Sequence, residues 1–114
     1  MRFVILGGSG SGKSTQAQNL SRHFNVPTIS TGEILRQATS SLGELAENAR
    51  YAIATGELVS DELMINIIRN HLQQPNFTKG WVLEGYPRTA FQAEELDFLL
   101  DELGQKLNYA IYLQ

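Results

Sequence analysis

Gly7-Gly8-Ser9-Gly10-Ser11-Gly12-Lys13-Ser14-Thr15 follows the apolar run Phe3-Val4-Ile5-Leu6 and opens onto a segment with helical spacing. Gly7, four residues, then Gly12-Lys13-Ser14 fits G-x-x-x-x-G-K-[ST], a loop that wraps phosphate. Glycine suits it because no Cβ blocks positive φ or the close approach of backbone N–H groups to an anion. The helix start that follows adds unpaired N–H groups and the positive end of a dipole. Lys13 in that first turn faces the same positive end, an unfavourable term of roughly 0.3–1 kcal/mol that a bound phosphate reverses. A glycine-serine turn containing a lysine by accident explains neither the strand before it nor the helix after it.

The bulk properties narrow the field around that loop. With 114 residues the chain is one domain, and 42% hydrophobic against 18% charged residues is ordinary for a globular protein. A net charge of −3 with no basic stripe speaks against a nucleic-acid partner. No apolar run reaches the length of a membrane span, and Phe3–Leu6 is too short for a signal-peptide core. There are no cysteines, hence neither a disulfide scaffold nor a thiolate metal site. The expectation is a cytoplasmic protein without membrane or nucleic-acid partners.

Strand and helix patterns alternate along the chain, which favours an α/β fold with a parallel sheet. A first strand over Arg2–Leu6 leads to a helix from Lys13 to Phe24 with Ala17, Leu20 and Phe24 on one face. Thr28-Ile29-Ser30 reads as a very short strand. Ser30-Thr31-Gly32-Glu33 has capping-box spacing and starts a helix that turns Ile34, Leu35 and Ala38 inward; Ser41-Leu42-Gly43-Glu44 starts another, to Thr55, which Gly56 stops. Ser60-Asp61-Glu62 caps a further helix with Met64, Ile65, Ile68 and Leu72 on one face. Three helices between strands exceed one crossover, so residues 30–59 are expected to form a small helical subdomain beside the sheet. Trp81-Val82-Leu83 is a strand buried on both faces. Thr89-Ala90-Phe91-Gln92 is another capping box, opening a helix with Leu96, Leu99, Leu100 and Leu103 inside and Gly104 at its end. Tyr109–Leu113 is a fourth strand. Trp81 and Phe98 are expected in the core, His23 and His71 are structural, and Glu94, Glu95, Asp97, Asp101 and Glu102 form a solvated face.

Leu83-Glu84-Gly85-Tyr86-Pro87-Arg88-Thr89 puts an acid at the carboxyl end of a buried strand and an arginine at a helix start. Ligands of doubly wound sheets bind outside the carboxyl ends of the strands, so this segment and the glycine loop are expected to open onto one crevice. Arg88, like Lys13, sits at the wrong end of a helix dipole unless an anion joins it. Tyr86-Pro87 is suited to a cis peptide.

These segments, with Ser30–Arg36 and Gly56-Glu57-Leu58-Val59-Ser60-Asp61-Glu62-Leu63, resemble the adenylate kinases of the nucleoside monophosphate kinase family. The resemblance runs over nearly the whole chain in the family's order. It implies a P-loop NTPase-like three-layer fold, a parallel sheet of about four strands flanked by helices, with residues 30–59 as the AMP-binding subdomain. It further implies ATP + AMP to two ADP by in-line phosphoryl transfer with Mg²⁺. Lys13 and Arg88 would act at the transferred phosphate, and Gly10, Ser11, Gly12, Lys13, Ser14 and Thr15 would hold the ATP phosphates. Thr31, Arg36, Glu57, Leu58, Val59, Gly85, Arg88 and Gln92 would bind AMP. Gln92 would read the polar edge of adenine, a role preferred here over its capping-box role alone. Ser14 and Glu84 would serve Mg²⁺.

The pattern departs from the family at three points. Glu84 stands where aspartate is usual, and Ser14 where glycine is usual. The family also continues beyond the fourth strand into a helix, an arginine-bearing lid over ATP, a fifth strand and a last helix. The chain therefore reads as a truncated kinase domain, 1–114, and the alternative is a nucleotide-binding fragment with little catalysis. The family is monomeric, but strand four, left at a sheet edge, invites pairing with another chain. A GTPase-type switch is disfavoured because no N-K-x-D segment is present. A small-metabolite kinase does not account for Gly56–Leu63 and Leu83–Thr89.

Overall fold

The structure, a computed structural model, describes residues 1–8, 10–40 and 60–113; the side chains of 37–40 lie outside that description. The elements in chain order are β1 (Arg2–Gly7), α1 (Lys13–Phe24), β2 (Thr28–Ser30), α2 (Thr31–Ser40), α3 (Asp61–Leu72), a 3₁₀ turn (Pro75–Phe77), β3 (Trp81–Glu84), α4 (Ala90–Leu103) and β4 (Tyr109–Leu113). The helix expected from Ser41 to Thr55, its Gly56 stop, and Glu57, Leu58 and Val59 lie outside the described residues.

All strand pairs are parallel, in the order β2-β3-β1-β4. Successive side chains leave opposite faces of a strand, and the core divides accordingly. Val4, Ile29, Trp81 and Leu83 join Ile34, Ile65, Ile68, Leu72, Leu96, Leu99 and Leu100 from α2, α3 and α4. Phe3, Ile5 and Val82 point the other way, onto Ala17 of α1. This is the three-layer α/β arrangement expected. Trp81, Val82 and Leu83 are fully buried because β3 has a strand on each side and helices on each face.

Helix ends follow the local signals. Ser30 Oγ accepts from Glu33 N (3.2 Å), Ser60 Oγ from Leu63 N (3.1 Å), and Thr89 Oγ1 from Gln92 N (3.1 Å). Gly104 stops α4 in the left-handed region at φ 68°.

Several expectations need correction. Phe98 is 76% exposed, not core. At about 100° per residue it lies on the far side of α4 from Leu96 and Leu100. Phe24 closes α1 beside Phe3 (ring centroids 5.0 Å apart) but stays exposed. On α3 the buried face is wider than expected, adding Ile67 and His71, while Met64 is half-buried. His71 is structural as a core ring against Phe77, centroids 4.5 Å apart. Burial lowers its pKa below 6.5, and the Glu33 carboxylate opposes that shift. Glu94, Asp97, Asp101 and Glu102 are exposed as expected, but Glu95 is half-buried, and its Oε1 has no hydrogen-bond partner among the described residues.

One buried polar bridge has no sequence signature. Trp81 Nε1 donates to Gln105 Oε1 (3.0 Å), and Gln105 Nε2 donates to the Leu72 carbonyl (3.1 Å). A single amide thus ties β3 to the last turn of α3 from the connection between α4 and β4.

Candidate functional site

Parallel pairing decides what meets at the carboxyl edge of the sheet. Glu84 is in register with both Ile5 of β1 and Ser30 of β2, and Gly7 is in register with Leu113 of β4. The glycine loop, the segment after β3 and the start of α2 therefore emerge side by side. The common crevice read from the sequence is present.

The loop is built for close approach. Gly10 and Gly12 have φ of 81° and 86°, in the region that side chains disfavour. At Gly7 the limit is space, since a Cβ there would lie 2.6 Å from Ser11 Oγ and 2.8 Å from the Leu113 carbonyl. Gly12 is the N-cap of α1, which has no side-chain cap and no acid in its first turn. Gln16 N to Gly12 O (3.0 Å) is the first bond of the helical ladder, so the amides of Lys13, Ser14 and Thr15 stand outside it. Ser11 Oγ is buried and has no hydrogen-bond partner among the described residues. A buried hydroxyl without a partner is costly.

Beside the loop lies a cavity of about 520 Å³, lined by Leu6, Gly7, Gly8, Lys13, Gly85, Pro87, Arg88 and Tyr112. Lys13 and Arg88 bring two positive charges to it, and no carboxylate among the described residues lines it. Arg88 is held by its Nε, which donates to the Gly85 carbonyl at 3.0 Å; among the described residues its two Nη groups have no hydrogen-bond partner. The Tyr86–Pro87 peptide is cis. Tyr86 beneath it is buried, and its phenol pKa is pushed up to about 12 by burial and by the Glu95 and Asp61 carboxylates.

A second, smaller cavity of about 130 Å³ is lined by Ser14, Ala17, Gln18, Thr28, Ile29, Ser30, Glu33 and Glu84. Across it Ser14 Oγ donates to Glu84 Oε2 at 3.0 Å, so the longer carboxylate at 84 reaches the loop hydroxyl directly. Among the described residues no group of three or more His, Asp or Glu is arranged to hold a metal ion. An oxygen-only pair of this kind suits Mg²⁺, which keeps several waters and takes one or two protein ligands beside substrate phosphates.

On the other side of Gly85 (φ 90°), a Cβ would lie 3.0 Å from Thr31 Oγ1, so Thr31 and Gly85 are neighbours. Arg36 lies one turn on, with Nη1 3.6 Å from where a Gly32 Cβ would be. Gln92 completes only half of its capping box. Its backbone N–H reaches Thr89, but its side-chain Oε1 accepts from Arg88 N at 2.8 Å, and its Nε2 donates to Asp61 Oδ1 at 2.7 Å. Asp61 was legible only as the acidic first residue of a helix. No spacing connects positions 61 and 92, so sequence reasoning missed the contact.

The structure thus gathers Gly10–Thr15, Thr31, Glu84, Gly85, Arg88 and Gln92 at one edge of the sheet. Comparison with known proteins points the same way. The family described as adenylate kinase matches residues 5–114. "Adenylate kinase 2" of Nostoc sp. is 67% identical over 114 residues, all of this chain and 62% of the relative. "Adenylate kinase 2" of Synechocystis sp. is 54% identical over the same length, 63% of that protein. The adenylate kinase of Nitrosococcus oceani is 46% identical over 113 residues, 52% of its length. The chain therefore spans between half and two thirds of these curated relatives.

Proposed function

The chain belongs to the adenylate kinase family, and from that premise we propose that it supplies the phosphate grip and the monophosphate side of an enzyme converting ATP and AMP to two ADP. The observation that carries this reading is the 520 Å³ cavity that Lys13, after β1, and Arg88, after β3, line together. Phosphoryl transfer needs positioning and neutralisation of charge more than covalent chemistry by the protein. In the reaction an AMP phosphate oxygen forms a bond to the γ-phosphorus of ATP while the bond to the β,γ-bridging oxygen breaks, and ADP leaves.

Each group has a task consistent with its geometry. The left-handed glycines and the first amides of α1 receive the ATP phosphates, with Lys13 adding a point charge. The unpartnered Ser11 hydroxyl gains an acceptor when phosphate arrives. Arg88, held at Nε by the Gly85 carbonyl, directs its Nη groups to the AMP phosphate. Thr31, Arg36, Gly85 and Gln92 take the rest of AMP, with Glu57, Leu58 and Val59 assigned to the adenosine pocket by resemblance. Ser14 and Glu84 would hold Mg²⁺, which would supply charge neutralisation at the phosphate oxygens of ATP.

Binding without turnover is a second reading. Among the described residues the cavity lining provides two cations, and loss of a charge-neutralising arginine in phosphoryl transfer costs about 10³–10⁵ in rate. One assay separates the readings: coupled ADP formation from ATP, AMP and Mg²⁺, against Lys13→Ala. Turnover that Lys13→Ala abolishes supports the kinase. Nucleotide binding by calorimetry with no turnover supports the second reading, and no binding of ATP, ADP or AMP rejects both.

A further inference from the structure

Gln92 is held from both ends by groups that each accept only one of its atoms. The backbone N–H of Arg88 is a donor and nothing else, so only Oε1 can face it (2.8 Å). The Asp61 carboxylate is an acceptor and nothing else, so only Nε2 can face it (2.7 Å). Turning the amide over would set N–H against N–H at one end and oxygen against oxygen at the other. Losing the bond to the charged Asp61 carboxylate weakens that arrangement by roughly tenfold, and losing the neutral bond to Arg88 N weakens it further. The amide nevertheless keeps one lone pair and one N–H for a ligand, since it began with two of each.

We propose that Asp61 is a positioning residue that fixes the orientation of the Gln92 amide, and that this lock makes the site select a 6-aminopurine monophosphate over a 6-oxopurine one. The inference rests on the reading of Gln92 as the group that meets the base. A 6-aminopurine offers a donor at the exocyclic nitrogen and an acceptor at N1. A 6-oxopurine offers an acceptor at O6 and a donor at N1–H, the reverse pattern. An amide held one way round matches only one of these, and a freely turning amide serves both. Arg88 N is backbone and cannot be altered by side-chain replacement, so Asp61 is the half of the lock that mutation can open.

Asp61 is also the first residue of α3, where an acid is favourable at the helix N-terminus, and that role has no bearing on which purine binds. The experiment reads the ratio of AMP to IMP affinities by calorimetry on the full chain, wild type against Asp61→Asn, Asp61→Glu and Gln92→Ala, with thermal unfolding alongside. Asparagine at 61 can present either an oxygen or an N–H, so the lock opens and the AMP:IMP ratio falls about tenfold. Glutamate keeps an acceptor-only group and holds most of the ratio. A merely structural Asp61 lowers the melting temperature and both affinities together and leaves the ratio intact, which overturns the proposal. If Gln92→Ala lowers the ratio while Asp61→Asn does not, the lock is wrong but base reading by Gln92 stands. If Gln92→Ala leaves the ratio unchanged, or wild type binds neither nucleotide, base reading falls and the lock with it.

Discussion

Replacing Gln105 with leucine strands two polar groups in the core. Trp81 Nε1–H loses its acceptor and the Leu72 carbonyl loses its donor, at a position where Gln105 is 8% exposed and Trp81 and Leu72 are fully buried. Each of the two buried polar groups left without a partner costs about 1–3 kcal/mol, and the extra apolar surface of leucine returns about 1 kcal/mol, so the expected net loss is about 1–5 kcal/mol, with a middle value of about 3 kcal/mol. Against a total stability of about 5–15 kcal/mol that is a large fraction. At about 4–8 °C per kcal/mol for domains near this size, a loss of about 3 kcal/mol lowers the melting temperature by roughly 12–24 °C. Trp81 is the only tryptophan, so its fluorescence during urea unfolding reports from the bridge itself. The midpoint should fall with the slope unchanged. Gln105→Glu keeps an acceptor for the indole but lacks the amide donor and buries a charge, so it should lose at least as much. A Gln105→Leu variant within about 0.5 kcal/mol of wild type refutes the reasoning, because the two hydrogen bonds would then carry no net stability.

Other outcomes follow from the same structure. Gly85→Ala places a Cβ 3.0 Å from Thr31 Oγ1 on a backbone with φ 90°, so stability should fall by about 1–3 kcal/mol and AMP affinity with it; calorimetry and thermal unfolding check both. His71 is held neutral by burial, so its folded pKa lies below the unfolded 6.5. The unfolded chain binds the proton first, so this contribution to stability is complete above pH 6.5 and is lost as pH falls from there through the folded value. His71→Phe should flatten the urea midpoint between pH 7.5 and 5 relative to wild type, and parallel profiles would contradict the assignment. Tyr86 runs the opposite way in alkali: with its folded pKa at about 12, stability should decline above pH 10 as the unfolded phenol ionises, and Tyr86→Phe should remove that decline from the difference between the two urea profiles.

Much of this architecture was legible because its causes are local. Ser30, Ser60 and Thr89 cap helices through bonds that span three residues, so spacing alone locates them. Trp81-Val82-Leu83 announces a strand covered on both faces because an uninterrupted apolar run has no solvent side. Phe98 misled for an equally physical reason. Hydrophobicity alone placed it inside, whereas the helical angle from Leu96 and Leu100 puts it outside. At the site, the glycine loop could be read residue by residue, since its conformation is written in the glycines themselves. The Ser14–Glu84 hydrogen bond and the meeting of Lys13 with Arg88 depend on which strands are neighbours, a matter on which no short segment carries information.

The sequence by itself determined that this chain has a glycine-rich loop between a strand and a helix, an acid and an arginine after a buried strand, and a string of capped helices between parallel strands. Each of these is enforced within a few residues by backbone sterics, hydrogen-bonding reach and hydrophobic period. Only the tertiary structure decided that β3 lies between β1 and β2, which brings Glu84 to Ser14, Gly85 to Thr31 and Arg88 to the cavity that Lys13 lines. It also decided that Gln105 bridges Trp81 and Leu72, and that Asp61 holds Gln92. The hydrogen-bonded pairs among these join residues 24 to 70 positions apart. Their geometry is fixed by the packing of whole layers on the sheet, which no local spacing encodes.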